Sequence, residues 1–196
     1  MPTNDPTKRR AIYKTMRVYA GSSNRPLAQK IADILGVELS GLALEQFANG
    51  EIYARYEETV RGADVFLIQS IAGENVNDML MEVLVAADAA KRASARSITA
   101  VITHYGYARQ DRKAAPREPI TARLVADLLE CSGVNNIITL DLHQGQIVGF
   151  FNIPVNHLSA LPLFADYYNA MDLDKDNLVV VSPDVGRAKA AKKLSD

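Results

Sequence analysis

The chain has 196 residues, of which 48% are hydrophobic and 23% charged, a composition that supports a folded core and argues against a disordered polymer. Its 22 Lys and Arg against 23 Asp and Glu leave a net charge of −1, so no global field favours nucleic acid or an anionic membrane, and phosphate chemistry has to come from local clusters. The single cysteine, Cys131, closes no internal disulfide and suits a reducing cytoplasmic setting, and no apolar run approaches the roughly 18 residues of a membrane span.

In chain order, residues 1–14 read as a flexible polar tail with Lys8, Arg9, Arg10 and Lys14, without the apolar centre of a signal peptide. Met16 to Gly21 is the first expected strand, followed by a helix from Pro26 to Leu35 that stops at Gly36. Gly41 to Phe47 and Glu51 to Tyr56 flank Ala48-Asn49-Gly50, and an Asn-Gly pair between β-rich runs predicts a hairpin. A second strand–helix unit follows: Ala63 to Gln69, then Asn77 to Arg92 with Met81, Leu84, Val85 and Ala89 at helical spacing. Ser97 to Ile102 leads through a polar loop to a helix over Thr121–Glu130, whose end holds Cys131 as an expected small buried hydrophobe, and to a strand at Asn136–Leu140. A helix near Ser159–Tyr168 and an apolar strand at Leu178–Val181 complete the series. The uninterrupted apolar strands suit a sheet covered on both faces, so the class is α/β, doubly wound and mostly parallel, with an inserted hairpin. Residues 15–196 are expected to form one such domain, which looks unfinished where it stops at Asp196.

In open α/β sheets ligands gather at the carboxyl ends of strands. Two loops there carry chemistry. The one after Ile102 holds Arg109, Arg112, Lys113 and Arg117, whose guanidinium and ammonium groups suit a polyphosphate, although a solvated surface loop is the bland alternative. The other places Asp141 and His143 just beyond Leu140, an imidazole and a carboxylate suited to metal or phosphate contact, or to a structural role.

Tyr107-Ala108-Arg109-Gln110-Asp111-Arg112, Pro119-Ile120-Thr121-Ala122, and Asp141-Leu142-His143 with Gln146-Ile147 and Gly149-Phe150-Phe151 resemble the ribose-phosphate pyrophosphokinases. So do Phe47-Ala48-Asn49-Gly50-Glu51, Val60-Arg61-Gly62 and Val181-Ser182-Pro183-Asp184-Val185-Gly186, and the blocks follow the family's order from Met16 to the end. The resemblance implies a phosphoribosyltransferase-like fold and the transfer of pyrophosphate from Mg-ATP to ribose 5-phosphate, giving phosphoribosyl pyrophosphate and AMP. It implies that Phe47, Asn49 and Glu51 take the adenine, reaching into a neighbouring subunit of a homo-oligomer, a hexamer in the family. Arg109, Gln110 and Asp111 would belong to the nucleotide site, with Arg109 stabilising the transferring group. His143 and Asp184 would hold Mg²⁺, with Asp141 a further candidate. From the residues alone, Phe47 also reads as a core aromatic, and Asn49 and Glu51 as turn and surface positions. His104 and His157 match no family role.

The chain departs from the family pattern at three places. Arg187-Ala188 follows Gly186 without a further Gly, Asn152 and Asn156 stand where Asp is common, and Thr103-His104 replaces a Pro-aromatic pair. The family's ribose 5-phosphate loop and its catalytic lysine loop are not found, so the ATP half of the site is expected here, with no complete reaction from this chain alone. A non-catalytic relative that binds catalytic subunits is the alternative.

Overall fold

The computed structural model describes residues 15–171, 173–174 and 177–195; the tail expected over 1–14 lies outside them. Two compact units are present, Met1–His157 and Leu158–Asp196, and each is taken by itself.

The first unit begins with β1 (Met16–Ala20) and α1 (Arg25–Leu35). Asn24 caps α1 by accepting from the Leu27 N–H at 3.3 Å, Pro26 lies in its first turn, and Gly36 at φ +68° ends it in the left-handed conformation. The hairpin β2 (Leu42–Gln46) and β3 (Ile52–Tyr56) follows, paired antiparallel from Leu42 with Tyr56 to Gln46 with Ile52. Then come β4 (Asp64–Ser70), α2 (Val76–Arg92), β5 (Ser97–His104), α3 (Thr121–Ser132) and β6 (Asn136–Leu140). A 3-10 turn at Gly145–Phe150 and β7 (Val155–Leu158), a strand the sequence pattern did not suggest, close this part of the chain. The sheet order is β1-β4-β5-β6-β7, and the β1–β4, β4–β5 and β5–β6 pairs are parallel.

Both faces of this sheet are covered, as its apolar strands require. Val18, Ala20 and Ile68 turn to one face and bury Ala28 of α1. Tyr19, Leu67, Ala100, Ile102 and Ile137 turn to the other, against Val83 and Ala87 of α2 and Val125 and Leu129 of α3. The hairpin lies on this second side. The Tyr56 hydroxyl donates to the Ala86 carbonyl at 2.9 Å, and its ring meets Tyr19 edge-on with centroids 4.6 Å apart. The mostly parallel α/β architecture with a hairpin insertion is the one expected.

Three expectations are corrected. The buried face of α2 is Leu80, Glu82, Val83, Ala86, Ala87 and Ala90; Met81 is 46% exposed, and Leu84, Val85 and Ala89 are only partly buried. Met79 to Ala87 is apolar at every position but Glu82, so helical spacing carries no phase there, and the small alanines allow the close approach. Cys131 is exposed, on the outer side of α3. Residues 178–181 form no strand, and Val179 and Val181 are 78% and 80% exposed. A β-rich run without a ladder partner stays irregular, because strand stability comes from pairing and packing.

The second unit holds α4 (Leu161–Asn169), with Pro162 in its first turn where a helix was expected, a 3-10 turn at Val185–Arg187, and α5 (Ala188–Ser195).

Candidate active site

The loop leaving β5 is shaped by burial at its base. Tyr105 is buried, donates its hydroxyl to the Ala122 carbonyl at 3.0 Å and meets the Phe151 ring edge-on at 5.9 Å, and burial pushes its phenol pKa up. Gly106 follows because nothing larger fits: a Cβ there would stand 2.4 Å from Cγ2 of buried Ile71. Tyr107 then turns at φ +62°, its hydroxyl bonded to Asn77 Oδ1 in the first turn of α2.

Gln110 and Asp111 are pinned in place. The Gln110 N–H donates to the Tyr107 carbonyl at 2.9 Å, and Gln110 Oε1 accepts from the Thr121 hydroxyl at 2.5 Å. Ala122 N–H donates to the Gln110 carbonyl at 3.1 Å. Asp111 is buried and accepts from Gln146 Nε2 at 3.1 Å, which ties this loop to the turn after β6. Asp111 therefore faces a protein partner, and its role runs through the geometry of the two loops.

The cations on either side of Gln110 and Asp111 project outward. Arg109, Arg112, Lys113 and Arg117 are exposed, and no carboxylate lies within ion-pair distance of any of them among the described residues. Glu118, the acid that follows Arg117, accepts instead from the N–H groups of Ala114 and Ala115 at 2.7 and 2.9 Å. Arg117 sits at φ +68°. Fixed at its base and cationic at its rim, the loop is a ready receptor for an anion carrying several negative oxygens.

After β6, Asp141 adopts φ +43° and is exposed, as is His143, while Leu142 between them is buried. The Leu142 N–H donates to His157 Nε2 at 3.0 Å, which gives His157 the structural role expected of it. Asp184, in the second unit, caps the short turn that follows it by accepting from the Arg187 N–H at 3.0 Å. Among the described residues no group of three or more His, Cys, Asp or Glu is placed to hold a metal.

At the hairpin, Phe47 is 50% exposed, so the core-aromatic reading of it fails. Asn49 Oδ1 accepts from the Glu51 N–H at 3.2 Å, leaving the Glu51 carboxylate outside the turn. Gln46 Nε2 reaches Asp78 Oδ2 at 3.3 Å, so the hairpin and the Tyr107 turn are both anchored on the first turn of α2. None of the hydrogen bonds or ion pairs among the described residues joins Phe47, Asn49 or Glu51 to Arg109 or His143.

A polar cluster at the same edge of the sheet escaped the sequence reading. Glu82, on the buried face of α2, accepts from the Ser22 hydroxyl at 2.7 Å, the Ser22 N–H at 3.0 Å and Gln69 Nε2 at 2.6 Å. Gln69 Oε1 accepts from the Ser23 hydroxyl at 2.6 Å, and the Ser23 oxygen accepts from the Ser70 N–H at 2.8 Å. These bonds fix the loop after β1 to the end of β4 and to the second turn of α2. The signal for it was a lone carboxylate inside an apolar helical run, since a buried charge requires partners.

The comparisons with known proteins agree on one family. Residues 16–133 match the N-terminal domain of ribose phosphate pyrophosphokinase. The ribose-phosphate pyrophosphokinase of Fusobacterium nucleatum is 51% identical over 184 residues, covering 94% of this chain and 58% of that protein. Ribose-phosphate pyrophosphokinase 2 of Enterococcus faecalis is 53% identical over 181 residues, covering 92% and 56%. The crystal structure of phosphoribosylpyrophosphate synthetase from Mycobacterium smegmatis superposes with a TM-score of 0.87 at 45% identity, over 93% of this chain and 60% of that one. The chain thus spans 56–58% of the length of these two curated relatives. With its fold, its edge loops and most of its length in agreement, the chain belongs to the family of the N-terminal domain of ribose phosphate pyrophosphokinase.

Proposed function

We propose that this chain supplies the ATP-binding half of a ribose-phosphate diphosphokinase site. The observation that carries this reading is the loop after β5: four exposed cations without carboxylate partners, on a base held by Gln110–Thr121 and Asp111–Gln146. Cations that are not neutralised internally keep their full attraction for a triphosphate, and the pinned base limits what ordering them costs on binding.

In the reaction, the anomeric hydroxyl oxygen of ribose 5-phosphate bonds to the β-phosphorus of ATP while the bond from that phosphorus to the α–β bridging oxygen breaks. AMP leaves, the hydroxyl proton is released, and the pyrophosphoryl group stays on the sugar. Arg109 neutralises charge on the transferring group, and Gln110, whose oxygen is taken by Thr121, offers its amide N–H groups to the nucleotide. Asp111 keeps the two edge loops together. Phe47, Asn49 and Glu51 present a platform for adenine in a neighbouring copy of a homo-oligomer, a reading supported by the lack, among the described residues, of hydrogen bonds or ion pairs from that tip to Arg109 or His143.

In the first unit, His143 and Asp141 are too few for a closed site, which fits a Mg²⁺ carried in by the triphosphate, since Mg²⁺ keeps waters and phosphate oxygens. When bound it would neutralise phosphate charge. The residues assigned here serve the nucleotide and none serves the sugar phosphate, so the chain alone is proposed to bind ATP without completing the transfer. Among the described residues no helix is long and apolar enough to cross a membrane, and a cytoplasmic enzyme is the setting we infer.

Calorimetric titration with Mg-ATP tests the reading. Saturable binding that weakens in His143→Ala supports it; the absence of binding, or a mutant equal to the parent, overturns this chain as the ATP half. AMP formation dependent on ribose 5-phosphate by the chain alone would refute its proposed inactivity.

A further inference from the structure

The outer face of the hairpin holds an aromatic ring that the reading above leaves unused. Alternation along β2 and β3 sends Leu42, Leu44, Ala54 and Tyr56 to the core side and Glu45, Phe47, Glu51, Tyr53 and Arg55 to the opposite side. Phe47 lies just past the last ladder pair and donates its N–H to the Glu51 carbonyl at 2.8 Å, so Tyr53 is its diagonal neighbour across the strands. The two ring centroids are 6.0 Å apart at an interplanar angle of 44°. Both rings stay open to solvent, Phe47 at 50% and Tyr53 at 37%.

The backbone beneath Phe47 is held by hydrogen bonds. Gly50 takes φ +90° and donates to the Phe47 carbonyl at 2.8 Å, and Asn49 Oδ1 holds the Glu51 N–H. The Phe47 side chain can rotate about its own bonds, and the ring beside it belongs to Tyr53. A base inserted between two rings needs about 3.5 Å on each side, hence roughly 7 Å between parallel planes. These rings are closer and tilted, so the pair forms no sandwich.

We propose that Tyr53 is a positioning residue for the nucleotide base: it packs against Phe47 and presets the ring on which adenine stacks. This rests on the reading of Phe47 as the adenine platform. A preset ring loses less rotamer freedom on binding, so Tyr53 strengthens the complex through Phe47 without entering the reaction.

The test compares four proteins, the parent, Phe47→Ala, Tyr53→Phe and Tyr53→Ile, in calorimetric titrations with Mg-ATP and, separately, with Mg-tripolyphosphate, which carries no base. Isoleucine keeps strand propensity and apolar bulk while removing the ring. Phe47→Ala is expected to weaken ATP about tenfold or more through lost stacking. Tyr53→Ile should weaken ATP about threefold to tenfold and leave tripolyphosphate unchanged, and Tyr53→Phe should match the parent. If Phe47→Ala weakens ATP and Tyr53→Ile does not, the inference is overturned and the platform stands. Equal weakening of both ligands in Tyr53→Ile also overturns it, because the ring then only holds the hairpin together. If the parent does not bind ATP, or Phe47→Ala binds like the parent, the platform falls and takes the inference with it.

Discussion

The two ends of the parallel sheet use charge in opposite ways. At the amino end, Asp64 opens β4 and accepts from Arg96 Nε at 2.8 Å and from the Ser97 hydroxyl at 2.7 Å, while its backbone N–H donates to the Thr15 carbonyl at 2.8 Å. The Arg96 bond, helped by Ser97, holds the Asp64 carboxyl below the usual carboxylate range. At the carboxyl end, Arg109, Arg112, Lys113 and Arg117 face solvent, and Glu118 bonds backbone N–H groups in place of any of them. Three of the four described non-glycine residues with positive φ, Tyr107, Arg117 and Asp141, also lie at this end. The same residue types thus hold the fold together at one edge and face solvent at the other. What separates the two cases is whether a carboxylate stands in reach.

That contrast breaks most sharply at Arg109. Arg109→Ala should weaken Mg-ATP binding by a factor of about 10–100, since a hydrogen bond to a charged group contributes about 1.5–3 kcal/mol, while the melting temperature barely moves. Parent-like affinity in a calorimetric titration would show that this cation, too, is mere surface. Gly106→Ala probes the base of the same loop. The added Cβ meets Ile71 Cγ2 at 2.4 Å and the Ile71 carbonyl at 3.0 Å, so overpacking should cost about 1–3 kcal/mol. Scanning calorimetry should then read a melting point lower by about 2–10 °C, and an unchanged value would mean the loop yields freely.

The smallest effect belongs to the amino edge. Asp64 has its folded pKa below its unfolded one, so its stabilisation is complete above the ordinary aspartate value of about 3.9 and is lost as pH falls through the lower folded value. Asp64→Asn should lower the melting temperature by a few degrees at pH 7, with the gap to the parent closing on acidification below about pH 4, and should leave ATP affinity unchanged. A gap that stays constant or widens on acidification contradicts the charge assignment.

Much of this architecture was legible in the residues. Strand and helix alternation up to β6 follows from local spacing, the hairpin from Asn49-Gly50, and the helix stop from Gly36, all features that act within a few residues. The candidate residues of the β5 and β6 loops were legible from type and position, but their division of labour was not. Gln110 and Asp111 look alike as polar neighbours of Arg109, yet one presents an exposed amide and the other is buried against Gln146. Tyr53 gave no signal, because an aromatic in a strand is ordinary until its neighbour across the hairpin is known.

By itself the sequence determined the order of elements up to β6, the family and the concentration of cations after β5, because each depends on residue type and short spacing. The tertiary structure alone decided which side of α2 is buried, that Glu82 gathers Ser22 and Gln69, that Cys131 faces outward and that residues 178–181 remain without a ladder. Each of these turns on the identity of a partner far along the chain, and neither a helix apolar on nearly every side nor an apolar run of strand formers specifies its own partner.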